Sequence, residues 1–358
     1  MDIKIKALFV TNLPSPYKVE FLNLLAKSVD LRVVYERKGA TNRNEKWFVD
    51  NSRNFEEIYL QRGAIGEEES FSFELVRYIK TIEHDRIVIM NGYIYPSEIF
   101  AINYMKRHHH PFFIMCDGML PTDDRLKTKI KSLLKRHVLS KSNHWLSSGK
   151  ATTAELIKHG ATVDGIIEYP FSSISEKKLV NEIYDKKHFK EIIGCSSEKM
   201  LLYVGQIIPR KGIDLLLEAS KKYSDITFYV IGGKLDSDGY DNIINIDFMT
   251  HDDLASYYKA ADALVLPTNE DIWGLVVNEA MAVGTPVITT DRCGAGLELV
   301  QEGKNGFLFH RGDVGGLVDA IQKLYSSNEI TFENINSTAK KYTIENMSDA
   351  VYEALKQI

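Results

Sequence analysis

Two acidic residues, Asp271 and Glu279, stand on either side of a predicted helix start. A strand-like apolar run ends at Pro267, a polar loop follows, and a helix opens near Gly274, so backbone N–H groups and the positive end of a dipole can meet an anion. Glu279 lies about two turns into that helix, a separation from Asp271 suited to one extended ligand. Carboxylates accept hydrogen bonds from vicinal hydroxyls, which a nucleotide-sugar carries on its ribose and its hexose. The residue types alone also allow a helix cap followed by a solvent-facing glutamate.

A second segment upstream carries two adjacent cations, Arg210 and Lys211. It reads as a strand, a turn in which Gly205 and Gly212 permit close backbone approach, and a helix start. Adjacent cations beside such a turn suit a diphosphate. The alternative is a solvated turn whose cations bind nothing.

The acidic segment resembles the E-x7-E signature of the family-four retaining glycosyltransferases, also described as glycosyl transferases group 1. Aspartate fills the first acidic position, and residues 279–288 follow the Glu-Ala-Met-Ala-x-Gly-x-Pro-Val-Ile pattern of that family. The resemblance implies the GT-B fold, two Rossmann-like doubly wound α/β domains facing each other across a cleft. It also implies that Glu279 holds the donor ribose and that Asp271, with Glu270 able to share the contact, holds the transferred sugar.

The same resemblance covers the basic turn. The family places an arginine directly after the first glycine, where this chain has Gln206, and a lysine at the position of Lys211, while Arg210 is an extra cation. Residues 245–250, with Phe248 among them, resemble the loop that reads the nucleotide base. The donor-binding residues implied in this way are Gly205, Gln206, Arg210, Lys211, Phe248, Glu270, Asp271, Trp273, Gly274, Leu275, Val276 and Glu279.

Candidate acceptor-side residues follow strands of the first half, in segments 11–17, 91–93 and 116–118. Open α/β sheets present ligand-binding groups at such strand ends. Asp117 falls near where many family members carry a histidine, although an aspartate before glycine is also an ordinary turn residue. The resemblance implies transfer with retention, in which the leaving phosphate activates the acceptor hydroxyl and Lys211 stabilises the developing charge. The catalytic candidates are Asp271, Lys211 and Asp117.

Short apolar runs alternate with longer amphipathic stretches along the whole chain, a pattern typical of parallel sheets with crossover helices. Predicted strands are 4–11, 31–36, 86–91, 112–116, 144–147, 200–205, 226–231, 263–267 and 286–290. Predicted helices are 16–27, 95–106, 124–140, 213–222, 252–260 and 275–283. We expect an acceptor-binding domain (1–170), a charged linker (171–199), a nucleotide-sugar domain (200–340) and a helix that crosses back to the first domain (341–358).

Length, charge and cysteine content exclude several classes of function. A chain of 358 residues exceeds the usual size of one core, and a net charge of −5 argues against a nucleic-acid partner. Three scattered cysteines give neither a disulfide framework nor zinc-ligand spacing. Asp236 and Asp238 match a short D-x-D metal motif but lie in a turn-like glycine-rich stretch, and residues 108–110 are read as surface histidines. We therefore expect no metal and no cofactor. A dinucleotide-binding G-x-G-x-x-G turn is absent from the sequence.

A local basic excess stands out in this acidic protein. Segment 125–141 carries seven Lys or Arg residues and no acid, and an apolar stripe runs along one helical face. Such a helix docks on anionic lipid head groups, or it packs on the core with a solvated basic face. The expected protein is a cytoplasmic hexosyltransferase, peripheral at the membrane if the helix docks. It would transfer sugar from a UDP-sugar to a glycan or polyprenyl-diphosphate-linked acceptor during assembly of a capsule or exopolysaccharide. A nucleotide-sugar epimerase or hydrolase of the same architecture is the alternative.

Overall fold

A computed structural model describes residues 4–39, 52–60, 72–90, 95–121 and 126–357, with the backbone alone at 126–130 and 251–252. The chain divides into two compact units. The first contains residues 1–171 together with 344–358, and the second contains residues 172–343. Each unit is built around its own parallel sheet.

The first unit has a seven-stranded sheet in the order β3-β2-β1-β4-β5-β6-β7. Its strands are β1 (Lys6–Thr11), β2 (Asp30–Tyr35), β3 (Glu56–Tyr59), β4 (Arg86–Met90), β5 (Phe113–Cys116), β6 (His144–Ser147) and β7 (Ile166–Glu168). The helices that connect them are α1 (Pro16–Leu25), α2 (Glu74–Thr81), α3 (Pro96–Arg107), α4 (Leu126–Leu139) and α5 (Lys150–Lys158). The order reverses direction at β1 and β4, which is where open α/β sheets bind ligands at the carboxyl ends of their strands.

The second unit has a six-stranded sheet in the order β10-β9-β8-β11-β12-β13. Its strands are β8 (Lys199–Val204), β9 (Ile226–Ile231), β10 (Ile243–Ile246), β11 (Ala263–Leu266), β12 (Val287–Thr290) and β13 (Gly306–Phe309). Its helices are α6 (Lys186–Ile192), α7 (Ile213–Ser220), α8 (His251–Ala260), α9 (Leu275–Ala282), α10 (Gly294–Leu299), α11 (Val314–Ser326) and α12 (Phe332–Ala339). The topology again switches next to β8, between β8 and β11.

The central strands are apolar throughout because helices cover both faces of a parallel sheet. Every residue of β11 is buried, as is nearly all of β8. The predicted class, two doubly wound α/β domains, is confirmed, and the predicted strands and helices appear with small shifts at their ends. The apolar pattern missed four short strands, β3, β7, β10 and β13, which all lie at sheet edges. The first three carry polar or half-exposed residues and so lack the apolar run that identifies a central strand, whereas β13 is a largely buried run of only four residues.

The segment predicted as a linker, 171–199, lies almost wholly in the second unit. Tyr184 donates a hydrogen bond to the carbonyl of Val283 at 2.7 Å, and the ammonium of the half-buried Lys186 donates to the carbonyl of Ala261 at 3.0 Å. Helix α6 packs against α8. Long amphipathic side chains can bury their stems while their polar tips find partners, so a charged stretch without apolar periodicity can still be anchored to a core.

The chain ends in helix α13 (Ile344–Lys356), which belongs to the first unit and packs on α1. The guanidinium of Arg86 donates to the carbonyl of Leu355 at 2.9 Å, which fixes the end of α13 beside β4. None of the helices in the described ranges is long and apolar enough to cross a membrane.

Candidate active site

Two neighbouring strands of the second unit deliver the predicted donor-binding segments to one edge of the sheet. Strands β8 and β11 pair directly, with Leu264 opposite Leu202, and both segments follow the carboxyl ends of these strands. The carbonyl of Arg210 accepts hydrogen bonds from the backbone N–H of Asn269 at 2.9 Å and from the Thr268 hydroxyl at 3.0 Å. The basic turn and the acidic loop are therefore one connected structure.

Gly212 makes this connection possible. Its φ of 69° and ψ of 28° lie in the left-handed region, and a Cβ there would stand 1.9 Å from the carbonyl oxygen of Pro267. Only glycine adopts this conformation without strain and leaves that space. The glycine thus brings the turn before α7 into contact with the end of β11.

The closest charge contact of the site joins Lys211 and Asp271. The Lys211 ammonium donates to Oδ2 of Asp271, and the two side chains are only 15% and 14% exposed. The backbone holds Asp271 from both sides, since its N–H donates to the carbonyl of Arg292 at 2.9 Å and its carbonyl accepts from the N–H of Gly294 at 3.0 Å. Two of the predicted catalytic residues therefore lie together in a fixed, largely water-shielded position.

The acidic loop turns into helix α9 at Gly274, whose φ is 95°. A Cβ at this position would lie 2.7 Å from Sγ of Cys293, so a side chain would disturb the buried contact beneath the loop. The indole of Trp273 is buried and donates to Oδ1 of Asn278 at 2.7 Å, and its carbonyl accepts from the N–H of Ala295 at 2.7 Å. The Trp273 side chain therefore supports the loop from inside.

Leu275 and Val276 are the first two residues of α9 and are half-buried. Their N–H groups belong to the first turn, where a helix has no internal acceptors to offer. Together with the helix dipole they favour an anion at this end of α9.

Glu279 lies further along α9 and is held by Tyr258 of α8. The buried Tyr258 hydroxyl donates to Oε2 of Glu279 at 2.7 Å. Burial, and then the adjacent carboxylate, raise the pKa of Tyr258 well above its usual value, so the hydroxyl stays protonated and remains a donor. No sequence pattern predicts this contact, because the two residues lie on different helices.

The other predicted donor-binding residues either make contacts with backbone groups or lie exposed on the second unit. Gly205 N–H donates to the carbonyl of Ile231 at 2.9 Å, and Gln206 is exposed, with its carbonyl accepting from the Tyr203 hydroxyl at 2.9 Å. The Arg210 guanidinium donates to the carbonyl of Glu270 at 2.7 Å. Phe248 follows β10 and is exposed.

Gly232 was missed by sequence reasoning. At its φ of 131°, a Cβ would stand 2.2 Å from the carbonyl oxygen of Gly205, so it permits the turns after β8 and β9 to approach. The two consecutive glycines at 232 and 233, directly after an apolar run, were the sequence feature that could have predicted this close approach.

In the first unit, Asp117 follows β5 and accepts from two tyrosines. The Tyr17 hydroxyl lies 3.0 Å from its Oδ2, and the Tyr169 hydroxyl lies 3.0 Å from its Oδ1 and 3.1 Å from the carbonyl of Cys116. Burial, and then the charge of Asp117, raise the pKa of Tyr169 well above its usual value. Asp117 is therefore an oriented carboxylate at a strand end. The other candidate segment, 91–93, lies outside the described residues.

The segments that resemble metal-binding motifs lie in a local turn and at the end of a helix. Asp236 Oδ1 accepts from the N–H of Asp238 at 3.3 Å, the contact of a local turn. His108 follows the end of α3, and His109 has a positive φ of 58°. Within the described ranges, no three His, Cys, Asp or Glu residues are grouped so that they could hold a metal ion.

Solved structures share this fold over nearly the whole chain. Sucrose-phosphate synthase from Thermosynechococcus elongatus matches with a TM-score of 0.76 at 17% identity, covering 98% of each chain. Anabaena Alr3699/HepE, in complex with UDP-glucose, matches with a TM-score of 0.73 at 16% identity, covering 99% of this chain and 100% of that one. The fold is therefore the GT-B type, as predicted.

The family follows from the sequence of the second unit. Residues 184–342 match the family model described as glycosyl transferases group 1, and this range contains every residue of the donor-side set. An uncharacterized glycosyltransferase of Methanocaldococcus jannaschii, MJ1178, is 32% identical over 157 residues, which are 40% of this chain and 44% of that protein. The match to the glycosyl transferases group 1 family model confirms the predicted resemblance over residues 184–342, and the chain's match spans less than half the length of this relative.

Proposed function

We propose that the protein is a retaining hexosyltransferase that takes its sugar from a nucleotide-sugar donor, a UDP-sugar in particular. The observation that carries the proposal is the contact of Lys211 with Asp271 directly before the first turn of α9. A cation, a fixed carboxylate and free helix N–H groups at one sheet edge are the groups that a sugar diphosphate needs.

Each donor moiety has a matching group within the second unit. The diphosphate meets Lys211, whose ammonium has three N–H donors and gives one of them to Asp271, and the first turn of α9. The hydroxyls of the transferred sugar donate to Asp271. The ribose hydroxyls donate to Glu279, since Tyr258 occupies Oε2 and the second oxygen can accept from ribose.

In the proposed reaction, the bond between the anomeric carbon and the phosphate oxygen breaks while the acceptor oxygen bonds to the same face of that carbon. The acceptor proton passes to the departing phosphate, and the nucleoside diphosphate is the second product. Lys211 and the start of α9 stabilise the charge that develops on the leaving oxygen, which preorganised donors do effectively in a water-poor site.

The proposed donor type has support from one relative of the fold. Anabaena HepE has been solved with UDP-glucose, and UDP-glucose offers the diols and diphosphate that this site would hold. The proposed hexose and the use of UDP rest on that parallel and on the family.

The proposed acceptor-binding domain is the first unit, with Asp117 as the group that orients a hydroxyl. Its two oxygens accept from Tyr17 and Tyr169, which holds the carboxylate in a fixed orientation. We propose a glycan or polyprenyl-diphosphate-linked sugar as acceptor, on the cytoplasmic side of a membrane, during assembly of a capsule or exopolysaccharide. Nucleic acid is not expected as a partner of this acidic chain.

The test has two stages. First, a panel of nucleotide-sugars is screened for thermal stabilisation, because a ligand that binds the native state raises its apparent stability. Second, the stabilising donor is incubated with candidate acceptors, and the products are analysed by mass spectrometry. A glycosylated product supports the transferase, whereas free sugar or an epimerised donor without any glycosylated product supports the alternative hydrolase or epimerase.

The proposed chemistry requires no metal, because Lys211 and the helix N-terminus meet the diphosphate. Transfer measured with and without EDTA should proceed at the same rate. Loss of activity that manganese restores would refute this part of the proposal.

A further inference from the structure

Arg292 lies at the same edge of the second sheet as the proposed donor site. It follows β12, its carbonyl accepts from the N–H of Asp271 at 2.9 Å, and its own N–H donates to the Thr290 hydroxyl at 3.2 Å. The backbone therefore places Arg292 directly beside the carboxylate assigned to the transferred sugar. Its side chain is only 13% exposed.

The Arg292 side chain is largely shielded from solvent, and its guanidinium makes no hydrogen bond to a described residue. Its Nε is shielded from solvent and has no partner, and no hydrogen bond from its side chain reaches another residue of the described ranges. Its ionic contact with Oε2 of Glu270 spans 3.8 Å, too long for a hydrogen bond. Leaving a buried donor such as the Nε–H of Arg292 unsatisfied is costly, and a guanidinium offers further N–H donors beside it, so this position favours an oxyanion.

The residues near Arg292 do not by themselves supply the positive charge that a diphosphate needs. Gln206 is neutral at the position where the family resemblance places an arginine, and the Arg210 guanidinium already donates to the carbonyl of Glu270. Lys211 forms an ion pair with Asp271, which partly neutralises its charge. A diphosphate carries at least two negative charges, and Arg292 is a cation of this edge whose donors are not engaged by described protein groups.

We propose that Arg292 binds an oxygen of the donor's diphosphate and supplies the cationic contact that Gln206 lacks. This inference rests on the proposed function, since it assigns a residue to the same donor site. The planar fork of arginine suits two oxygens of a phosphate group, and lysine reproduces the charge without that geometry.

The test compares wild type with Arg292→Gln and Arg292→Lys by calorimetric titration. The probes are UDP, GDP and ADP and, for the diphosphate that wild type binds, its nucleoside alone. Arg292→Gln should weaken diphosphate binding about tenfold or more, with a smaller loss in Arg292→Lys, because a hydrogen bond to a charged group is lost. Binding of the nucleoside, by competition, should stay within about twofold. Lys304→Gln, which removes an exposed cation of the same unit, should behave as wild type.

Four results would overturn the inference. If Arg292→Gln folds and binds the diphosphate within about twofold of wild type, the assignment of Arg292 fails while the proposed function stands. Equal loss for nucleoside and diphosphate would show a structural role instead of a phosphate contact. If wild type binds no nucleoside diphosphate, the proposed function fails and this inference with it. Should Arg292→Gln not fold, unchanged binding by Arg292→Lys overturns the bidentate contact.

Discussion

The hydroxyl of Tyr258 lies 2.7 Å from Oε2 of Glu279 and donates to it across the α8–α9 contact. The tyrosine is buried and its pKa is raised well above the usual value by burial and by that carboxylate, so the donor persists at any physiological pH. A carboxylate that keeps one oxygen on a fixed donor presents its other oxygen in a fixed direction. Tyr258 is thus placed to orient the residue assigned to the ribose.

Replacement of Tyr258 by phenylalanine should weaken donor binding and leave the chemical step unchanged. Loss of this hydrogen bond, of a kind worth about 1.5–3 kcal/mol, releases Glu279 from its fixed orientation, so KM for the donor should rise about tenfold or more while kcat stays near wild type. Tyr257→Phe removes a neighbouring hydroxyl that is not on Glu279 and serves as the control. A drop in kcat with KM unchanged would contradict the positioning role, as would an equal loss for a 2′,3′-dideoxy donor, which lacks the ribose hydroxyls.

The two carboxylates of the donor site should respond differently to alanine. Glu279→Ala removes a contact that binds ground state and transition state alike, so donor KM should rise with little change in kcat. Asp271→Ala removes the partner of Lys211 and the group proposed to contact the transferred sugar, so kcat should fall about a hundredfold or more. Steady-state kinetics with varied donor separates the two effects. Wild-type kinetics in both variants would refute the assignment of the site.

Local sequence pattern was sufficient to predict the strand, loop and helix that carry each segment of the candidate donor site. The basic turn around Lys211 and the acidic segment from Asp271 to Glu279 each lie within one strand–loop–helix unit, and the apolar runs of β8 and β11 identify the strands that carry them. The doubly wound class follows from the same alternation. Edge strand β3 was missed because sheet edges need no continuous apolar run.

The contacts that tune the site depend on tertiary packing. Tyr258 reaches Glu279 only because α8 packs against α9, and Arg292 reaches Asp271 only through a bridge between the acidic loop and the segment after β12. Asp117 and Tyr169 are far apart in sequence and meet at the ends of β5 and β7. No sequence periodicity predicts such pairings, so only the three-dimensional structure reveals them.

A buried carboxyl group in the first unit should make stability depend on pH. Glu98 lies in the first turn of α3, fully buried, and neither of its oxygens has a hydrogen-bond partner within the described ranges. Burial, and then the charge of Glu36, raise the pKa of Glu98 well above its usual value, while Lys18 opposes the shift. The folded state therefore holds this proton more tightly than the unfolded state does. The protonated Glu98 carboxyl contributes its full stabilisation of the fold below the pKa of glutamate in the unfolded state, about 4.3. This contribution is lost as pH rises through the raised pKa of Glu98 in the folded state.

Glu98→Gln removes this titration and keeps the shape of the side chain. Its Tm should exceed that of wild type at pH 8, and the difference should shrink toward pH 5, where wild-type Glu98 is increasingly protonated. Thermal unfolding of both proteins across this range is the measurement, with Glu182→Gln, an exposed glutamate, as control. A variant that is less stable than wild type at pH 8 would show that the ionised carboxylate is satisfied in the fold.

Helix α4 offers a surface that could dock on a membrane, and its described side chains divide into two groups. Val138 and Leu139 are buried, whereas Leu133 and Leu134 are 68% and 40% exposed. The helix is therefore anchored in the unit at its end, while the apolar pair before that end faces outward. Exposed cations flank this pair at Lys131 and Arg136. An exposed apolar pair between cations is the arrangement expected of an interfacial helix.

We expect wild type to bind anionic liposomes at low salt and to release them as salt screens the charges. A basic residue near such a surface is worth about 1 kcal/mol, so the double variant Lys131→Glu, Arg136→Glu should bind at least about tenfold more weakly in co-sedimentation. Leu133→Ser should also weaken binding, and it should do so at every salt concentration. The control, Lys177→Glu with Lys178→Glu, makes the same charge change on exposed lysines of the second unit. Transfer to a short soluble acceptor should survive in all variants. If wild type ignores anionic liposomes at low salt, or if the control loses as much binding as the α4 variant, docking through α4 is wrong while the donor site stands.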